Sequence, residues 1–447
     1  MKHVLPSIKI MSVLFLIFAF TINNPVFAKN WNTSNKSTLA DGNKDKTLFK
    51  SAEHGIDWEN QSSKVSSLNQ LFYPKEILTG LSKIPQSKKM EFCKFKGDIS
   101  QLNSIKLPKY VSGLNSRMKG SKNVFGVNET AEFVRIFNNL AAKSYFFSDN
   151  TLANELIEIL HNVAKKRLLT GNKMCVKNGR IICKMDWNDK EGLDKTGIRD
   201  SYFVYNRVLI MAYVYYSYLY NGEIQDNRHQ VIENWFDYFI KEGKKPKFEL
   251  GQHGGWSIPA IAYRLIKNRS ISGKCFGSDC TRILDQIFLN IDEKISEDGS
   301  IYPNTYRGDR ALYYHNDAIN EALILLEIGR SFGYTPPQSL IMKIERSILL
   351  FIKGYENHSF MDKWANEGIK GRVRPGVQDF GGGEKSFNNN SNSSWYHIFT
   401  YRYPDSKASR ILINEYEVHQ PHKTNSDMRW GLSYKCPYNL LSFSLDN

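Results

Sequence analysis

From residue 129 onward, apolar positions recur every three or four residues, the spacing of helices with one buried face. The pattern predicts helices over 129–148, 150–169, 200–221, 227–243, 256–268, 279–295, 310–332 and 337–354. Turns containing Gly, Pro or Asn separate them, and Asp149 before Asn150 is a start signal for the second. No βαβ alternation and no sequence repeat stands out. Helices of similar length joined by short turns predict helical hairpins, which in one large domain can close into an α/α toroid. The expected fold class is therefore all-α, spanning 81–447.

The pattern is weaker outside that run. Residues 29–80 form a polar N-terminal segment, of which 29–66 are rich in Asn, Ser and Lys and read as poorly ordered at the start. Residues 81–123 carry many lysines with scattered Pro and Gly, and read as a long basic loop region with little regular structure. Residues 381–394 (GGGEKSFNNNSNSS) form a low-complexity polar loop. Its Gly run is no phosphate loop, because Glu384 follows and no GK[ST] is present. Residues 436–445 can add a last short helix.

The first 28 residues read as a secretory signal. Lys2, His3 and Lys9 make a basic start, and Ile10 to Phe20 form an apolar core of 11 residues, too short to span a bilayer. Val26-Phe27-Ala28 resembles a signal-peptidase site, so cleavage is expected after Ala28. No later segment has the apolar length of a membrane span. The mature chain is expected to be periplasmic or secreted, and a monomer.

Export changes how charge and cysteine are interpreted. The formal net charge is +15. An exported basic protein meets little nucleic acid, so an acidic polysaccharide or anionic lipid is the expected partner, against the plainer alternative of a lysine-rich solvated surface. The six cysteines are an even set in an oxidising compartment. Cys175 and Cys183 bracket a short hairpin-like turn, and Cys275 and Cys280 bracket FGSD. Pairing these locally leaves Cys93 and Cys436 to tie the two ends together. The local spacings do not suit zinc, and no metal or cofactor is expected.

Candidate chemistry concentrates in Ile301 to Tyr334. Arg307 and Tyr314 stand seven residues apart, two turns if the segment is helical. A guanidinium holds a carboxylate bidentately, and a phenol beside it can move a proton. On the following helix His315, Ala318, Ile319, Ala322 and Leu326 share one stripe, so His315 reads as a hydrogen-bonded structural residue of the core. Arg310, Tyr314, Asp317 and Glu321 share the neighbouring polar stripe, expected to border a cavity or solvent. Gly251 to Trp256 (GQHGGW) is a second cluster. Gln252 offers an amide, His253 a titratable imidazole, and Trp256 a ring to stack on a sugar. A Gly-rich helix entrance would explain Trp256 as well, but Gln252 and His253 less so. Glu297 and Asp298 in SEDG could serve a glycoside hydrolase, though the segment reads more simply as a turn.

Gln252-His253 with Trp256, followed some fifty residues on by PNTYRGDRALYYHNDA (Pro303 to Ala318), resembles the alginate lyase family of polysaccharide lyases. That family shows an Asn-His pair and an Arg seven residues before a Tyr in an RALxYHxxA segment. Gln252 stands where the family has Asn, one methylene longer. The resemblance implies an incomplete (α/α) toroid with a deep cleft. It implies β-elimination on alginate or another polyuronate, with Gln252, His253, Arg307 and Tyr314 catalytic and no metal. Trp256 and Arg310, with Arg117, Lys119 and Lys122 of a basic lid, would bind substrate. A glucuronan-type lyase, a hydrolase on the same kind of toroid and a non-catalytic polyuronate-binding protein are the alternatives.

Overall fold

The computed structural model describes residues 73–108, 127–170, 176–177, 180–181, 207–220, 227–242, 262, 265, 278–331, 334–367, 378, 394–416 and 433–445. All lie in one unit, Trp58–Asn447. The periodic segments are helices almost where the pattern puts them: α4 (Val127–Phe146), α5 (Asn150–Lys165), α6 (207–214, ending in a π-turn at Tyr215–Leu219), α7 (Asn227–Glu242), α8 (Ser278–Lys294), α9 (Ala311–Ser331) and α10 (Gln338–Glu356). Ala262 and Leu265, within the expected 256–268 run, are helical and buried. A two-stranded hairpin, β1 (Val176–Lys177) with β2 (Arg180–Ile181), sits at the turn between Cys175 and Cys183.

One expectation needs correcting. The end of the polar N-terminal segment and the start of the segment read as loop hold three short helices, α1 (Lys75–Lys83), α2 (Gln86–Phe92) and α3 (Ile99–Ser104). They are too short to show a period, and α1 and α2 each start after a proline rather than a polar cap. Their apolar residues Ile77, Leu81, Phe92 and Leu102 are buried, so tertiary packing stabilises them. Beyond α10 come α11 (Asp362–Glu367), α12 (Trp395–Arg402), α13 (Lys407–Tyr416) and α14 (Lys435–Leu445).

The helices pack as hairpins. The Asp149 carboxylate caps α5 by accepting from the Leu152 amide (3.0 Å), and α5 buries Leu152, Leu156, Leu160 and Val163 against α4 and α7. Further along, α9 packs on α8, α10 and α12, and α12 on α14. Helix α9 is interior on nearly every side, its polar residues included. The predicted polar stripe is therefore corrected: Asp317 and Glu321 are buried rather than facing solvent.

The first and last described helices are joined. Cys93 and Cys436 form a disulfide across 343 residues of sequence, joining the end of α2 to α14. Buried Glu327 on α9 accepts hydrogen bonds from Arg330 (2.7 Å), Arg402 of α12 (2.6 Å) and the Tyr438 hydroxyl of α14, while Arg402 also reaches Glu76 of α1 (2.7 Å). One carboxylate thus links the central helix to α12 and α14, and through Arg402 to α1. Cys175, Cys183 and Cys275 lie outside the described residues, as does the side chain of Cys280.

Candidate functional site

The chain enters α9 through two 3₁₀ turns, Asn304–Tyr306 and Gly308–Arg310. Arg307 sits between them, so it is not on the helix. Gly308 adopts φ +61°, a left-handed conformation that glycine takes without strain. That kink folds Arg307 back toward Tyr314, and the guanidinium carbon lies 4.1 Å from the centre of the Tyr314 ring. Arg310 lies 5.0 Å from the Tyr313 ring and 5.7 Å from that of Tyr314. Two cations thus flank one half-buried phenol ring. Such a pair can hold a carboxylate while the phenol moves a proton.

Three residues hold this segment in place. The Asn304 amide donates to the Tyr314 carbonyl (3.0 Å). Buried Gln378 accepts from the Leu312 amide (3.0 Å) and donates to the Gly308 carbonyl (3.2 Å), bridging from the second 3₁₀ turn to the first turn of α9. Thr305 accepts from the Ile301 amide (2.7 Å) and bonds His315 Nδ1 (2.7 Å). His315 Nε2 faces the Ser347 carbonyl (2.9 Å), which only accepts, so Nε2 carries the proton and Thr305 donates to Nδ1. Burial pushes the His315 pKa down to about 4, against the opposing pull of the Ser347 carbonyl and Asp298. A fully buried, neutral His315 belongs to the scaffold.

Asn304 and Thr305 lie inside the motif already noted, so their involvement was open to a local reading. Gln378 lies 70 residues from Gly308, and nothing in its surrounding sequence marks it.

Asp298 is committed elsewhere. One oxygen accepts from the Ser300 amide (2.9 Å) and hydroxyl (2.7 Å), the other from the Trp364 indole (3.0 Å). Burial opposes ionisation, but these bonds and nearby Lys363 outweigh it and hold the pKa below the usual carboxylate value. An ionised turn staple is a poor general acid, which counts against the hydrolase reading. Glu297 pairs with Arg346 at 2.6 Å.

The structure brings together Arg307, Arg310 and Tyr314 of the expected set and adds Tyr313. Gln252, His253, Trp256, Arg117, Lys119 and Lys122 lie outside the described residues.

No protein-family model matches the chain, and no curated protein matches it in sequence. Solved structures do. Alginate lyase A1-III from Sphingomonas species A1 superposes with a TM-score of 0.53 at 14% identity, covering 86% of this chain and 99% of that one. A histidine-to-alanine variant of alginate lyase A1-III without ligand gives 0.53 at 13% identity, over 86% and 99% of the two chains. A histidine-to-alanine variant complexed with a tetrasaccharide gives 0.50 at 13%, over 79% and 92%. At that identity the likeness concerns architecture: the helical hairpins of this chain form the α/α toroid seen in alginate lyase A1-III.

Proposed function

We propose that the protein is an exported polysaccharide lyase that cleaves uronic-acid polymers by β-elimination, with alginate, chiefly its mannuronate blocks, as the substrate. The observation that carries this reading is the Arg307 guanidinium stacked 4.1 Å over the Tyr314 ring at the head of a buried helix, on a toroid shared with an alginate lyase. Tetrasaccharide complexes of that neighbour were solved with a histidine replaced and with a tyrosine replaced, the residue types of His253 and Tyr314.

The C5 proton of a uronate is very weakly acidic while its carboxylate is charged. Arg307, with Gln252 and His253, neutralises that carboxylate and stabilises the dianion that develops. In mannuronate the C5 proton and O4 share a face. Tyr314, as phenolate, takes the C5 proton. The electron pair forms the C4–C5 double bond, the C4–O4 bond breaks, and the phenol returns its proton to O4. Guluronate requires a base on the opposite face, the role of His253. Trp256, Arg310 and the Arg117, Lys119 and Lys122 lid bind the polymer. The disulfide suits an oxidising compartment, and a signal cleaved after Ala28 would deliver the chain there.

The test is ultraviolet absorbance of the 4,5-unsaturated product on polymannuronate, polyguluronate and glucuronan. Tyr314→Phe should lose about 100-fold or more of activity, the scale of a lost proton-transfer group, with an unchanged circular dichroism spectrum. Full activity in Tyr314→Phe rules the mechanism out, and saturated products from the wild type mean hydrolysis.

A further inference from the structure

Among the described residues, the large aromatic side chains that stand out as exposed are Tyr302 (55%) and Phe360 (37%). Both lie at the end of the bundle that bears Tyr314. Helix α8 ends at Lys294, and the chain reaches α9 through 295–310, which contains Tyr302. Helices α9 and α10 are packed neighbours separated by only a few residues of sequence, so they run antiparallel. The C-terminus of α10, and the 3₁₀ turn His358–Met361 after it, therefore returns to the head of α9. Helix α11 packs directly on both 3₁₀ turns that flank Arg307.

A chain of contacts joins the two exposed rings. Tyr302 lies 5.9 Å from Tyr306, whose hydroxyl meets that of Ser300 at 3.2 Å. Ser300 and the Trp364 indole both bond Asp298, and Trp364 lies 5.5 Å from Phe360. Asp298 thus holds the base of an aromatic band. Lysines lie over its rings: Lys294 over Tyr302 (5.4 Å), Lys353 over Phe360 (5.6 Å) and Lys363 over Trp364 (5.0 Å). Of the carboxylates beside the band, Glu297 pairs with Arg346, Asp298 accepts from Ser300 and Trp364 and lies 4.0 Å from the Lys363 ammonium, and Glu367 lies near Tyr306. What faces outward is aromatic surface with ammonium groups beside it. Aromatic faces take the apolar face of a pyranose ring, and ammonium groups take a carboxylate.

We propose that Tyr302 and Phe360, with Lys294, Lys353 and Lys363, form an outer subsite that holds the flank of an acidic polysaccharide whose reacting unit sits at Arg307 and Tyr314. The proposal rests on the polyuronate reading of that site and extends it from one sugar unit to a polymer track.

The test compares wild type with Tyr302→Ala/Phe360→Ala and with Lys294→Gln/Lys353→Gln/Lys363→Gln, all in the full chain. Each is assayed on long polymannuronate and on its tetrasaccharide. Mobility is also measured in native gels cast with polymannuronate or with neutral dextran. The expected result is a polymer KM raised about 3- to 10-fold, the loss of one or two ring or cation contacts, with kcat and tetrasaccharide turnover unchanged. Retardation by polymannuronate should weaken, and dextran should have no effect. Equal changes on both substrates, or none, overturn the subsite. So does a wild-type dimer in sedimentation that dissociates in the aromatic variant, since a second copy then covers the patch. If the wild type is retarded by polymannuronate through these residues but eliminates nothing, the lyase reading fails and the subsite stands.

Discussion

His315 is the helical neighbour of Tyr314, yet the two face different surroundings. Tyr314 is half-buried under Arg307, whereas His315 is sealed between Thr305 and the Ser347 carbonyl. This burial makes stability depend on pH. The unfolded imidazole takes up a proton near its ordinary pKa of 6.5, the folded one only near 4. Between those values the unfolded state binds more protons, so stability falls as pH drops from 6.5 to 4. The full shift corresponds to about 3 kcal/mol. His315→Gln removes this contribution. The gap in stability between wild type and variant, measured by urea unfolding, should narrow steadily over that window. A gap independent of pH contradicts the neutral, buried assignment. The stripe to which each residue belongs was legible from helical spacing. That Arg307 lies off the helix was not, because Gly308 at φ +61° and the 3₁₀ turn Gly308–Arg310 come between it and the start of α9.

Helix α9 and its entry form the element on which the site depends. Gln378 spans the carbonyl of Gly308 and the amide of Leu312, so it sets where Arg307 leaves the backbone relative to Tyr314. Gln378→Ala leaves both groups buried without that partner, and should cost about 1–3 kcal/mol in urea unfolding. Because the Arg307–Tyr314 geometry loosens, kcat should fall about 10-fold, more than KM rises, in line with the sensitivity of rate to small misplacements. Gln378→Glu keeps the acceptor for Leu312 and should recover part of the stability. A variant with wild-type kinetics removes Gln378 from any positioning role. The long helices were legible because burying one face forces a period of 3.6 residues. The short helices α1 to α3 were not, since a helix of two turns or so shows too little of a period and depends on the core it docks against. The polar residues of α9 misled for a related reason. Asp317 and Glu321 are buried, and helical spacing cannot distinguish a solvated carboxylate from an enclosed one.

For the whole molecule, the closing contacts join sequence extremes. The Cys93–Cys436 bond closes a loop of 343 residues, and the loop-entropy model assigns such a closure about 6 kcal/mol. Cys93→Ser/Cys436→Ser should unfold at lower urea than wild type, with the signal at the α14 end lost first. An unchanged midpoint would mean that the Glu327–Arg402–Glu76 network suffices to hold the two ends. That this disulfide forms could be inferred from cysteine count and local pairing. The network beside it could not. By itself the sequence determined that the chain is helical, where its long helices lie, and that Arg307, Tyr314 and His315 belong to one compact segment. These follow from spacing, which acts between near neighbours. Only the tertiary structure decided that Asp317 and Glu321 are buried, that Asp298 is a staple, that Gln378 reaches the head of α9, and that Tyr302 and Phe360 share one end of the bundle. Each of these depends on which distant surfaces exclude water from one another, and local periodicity carries no record of that.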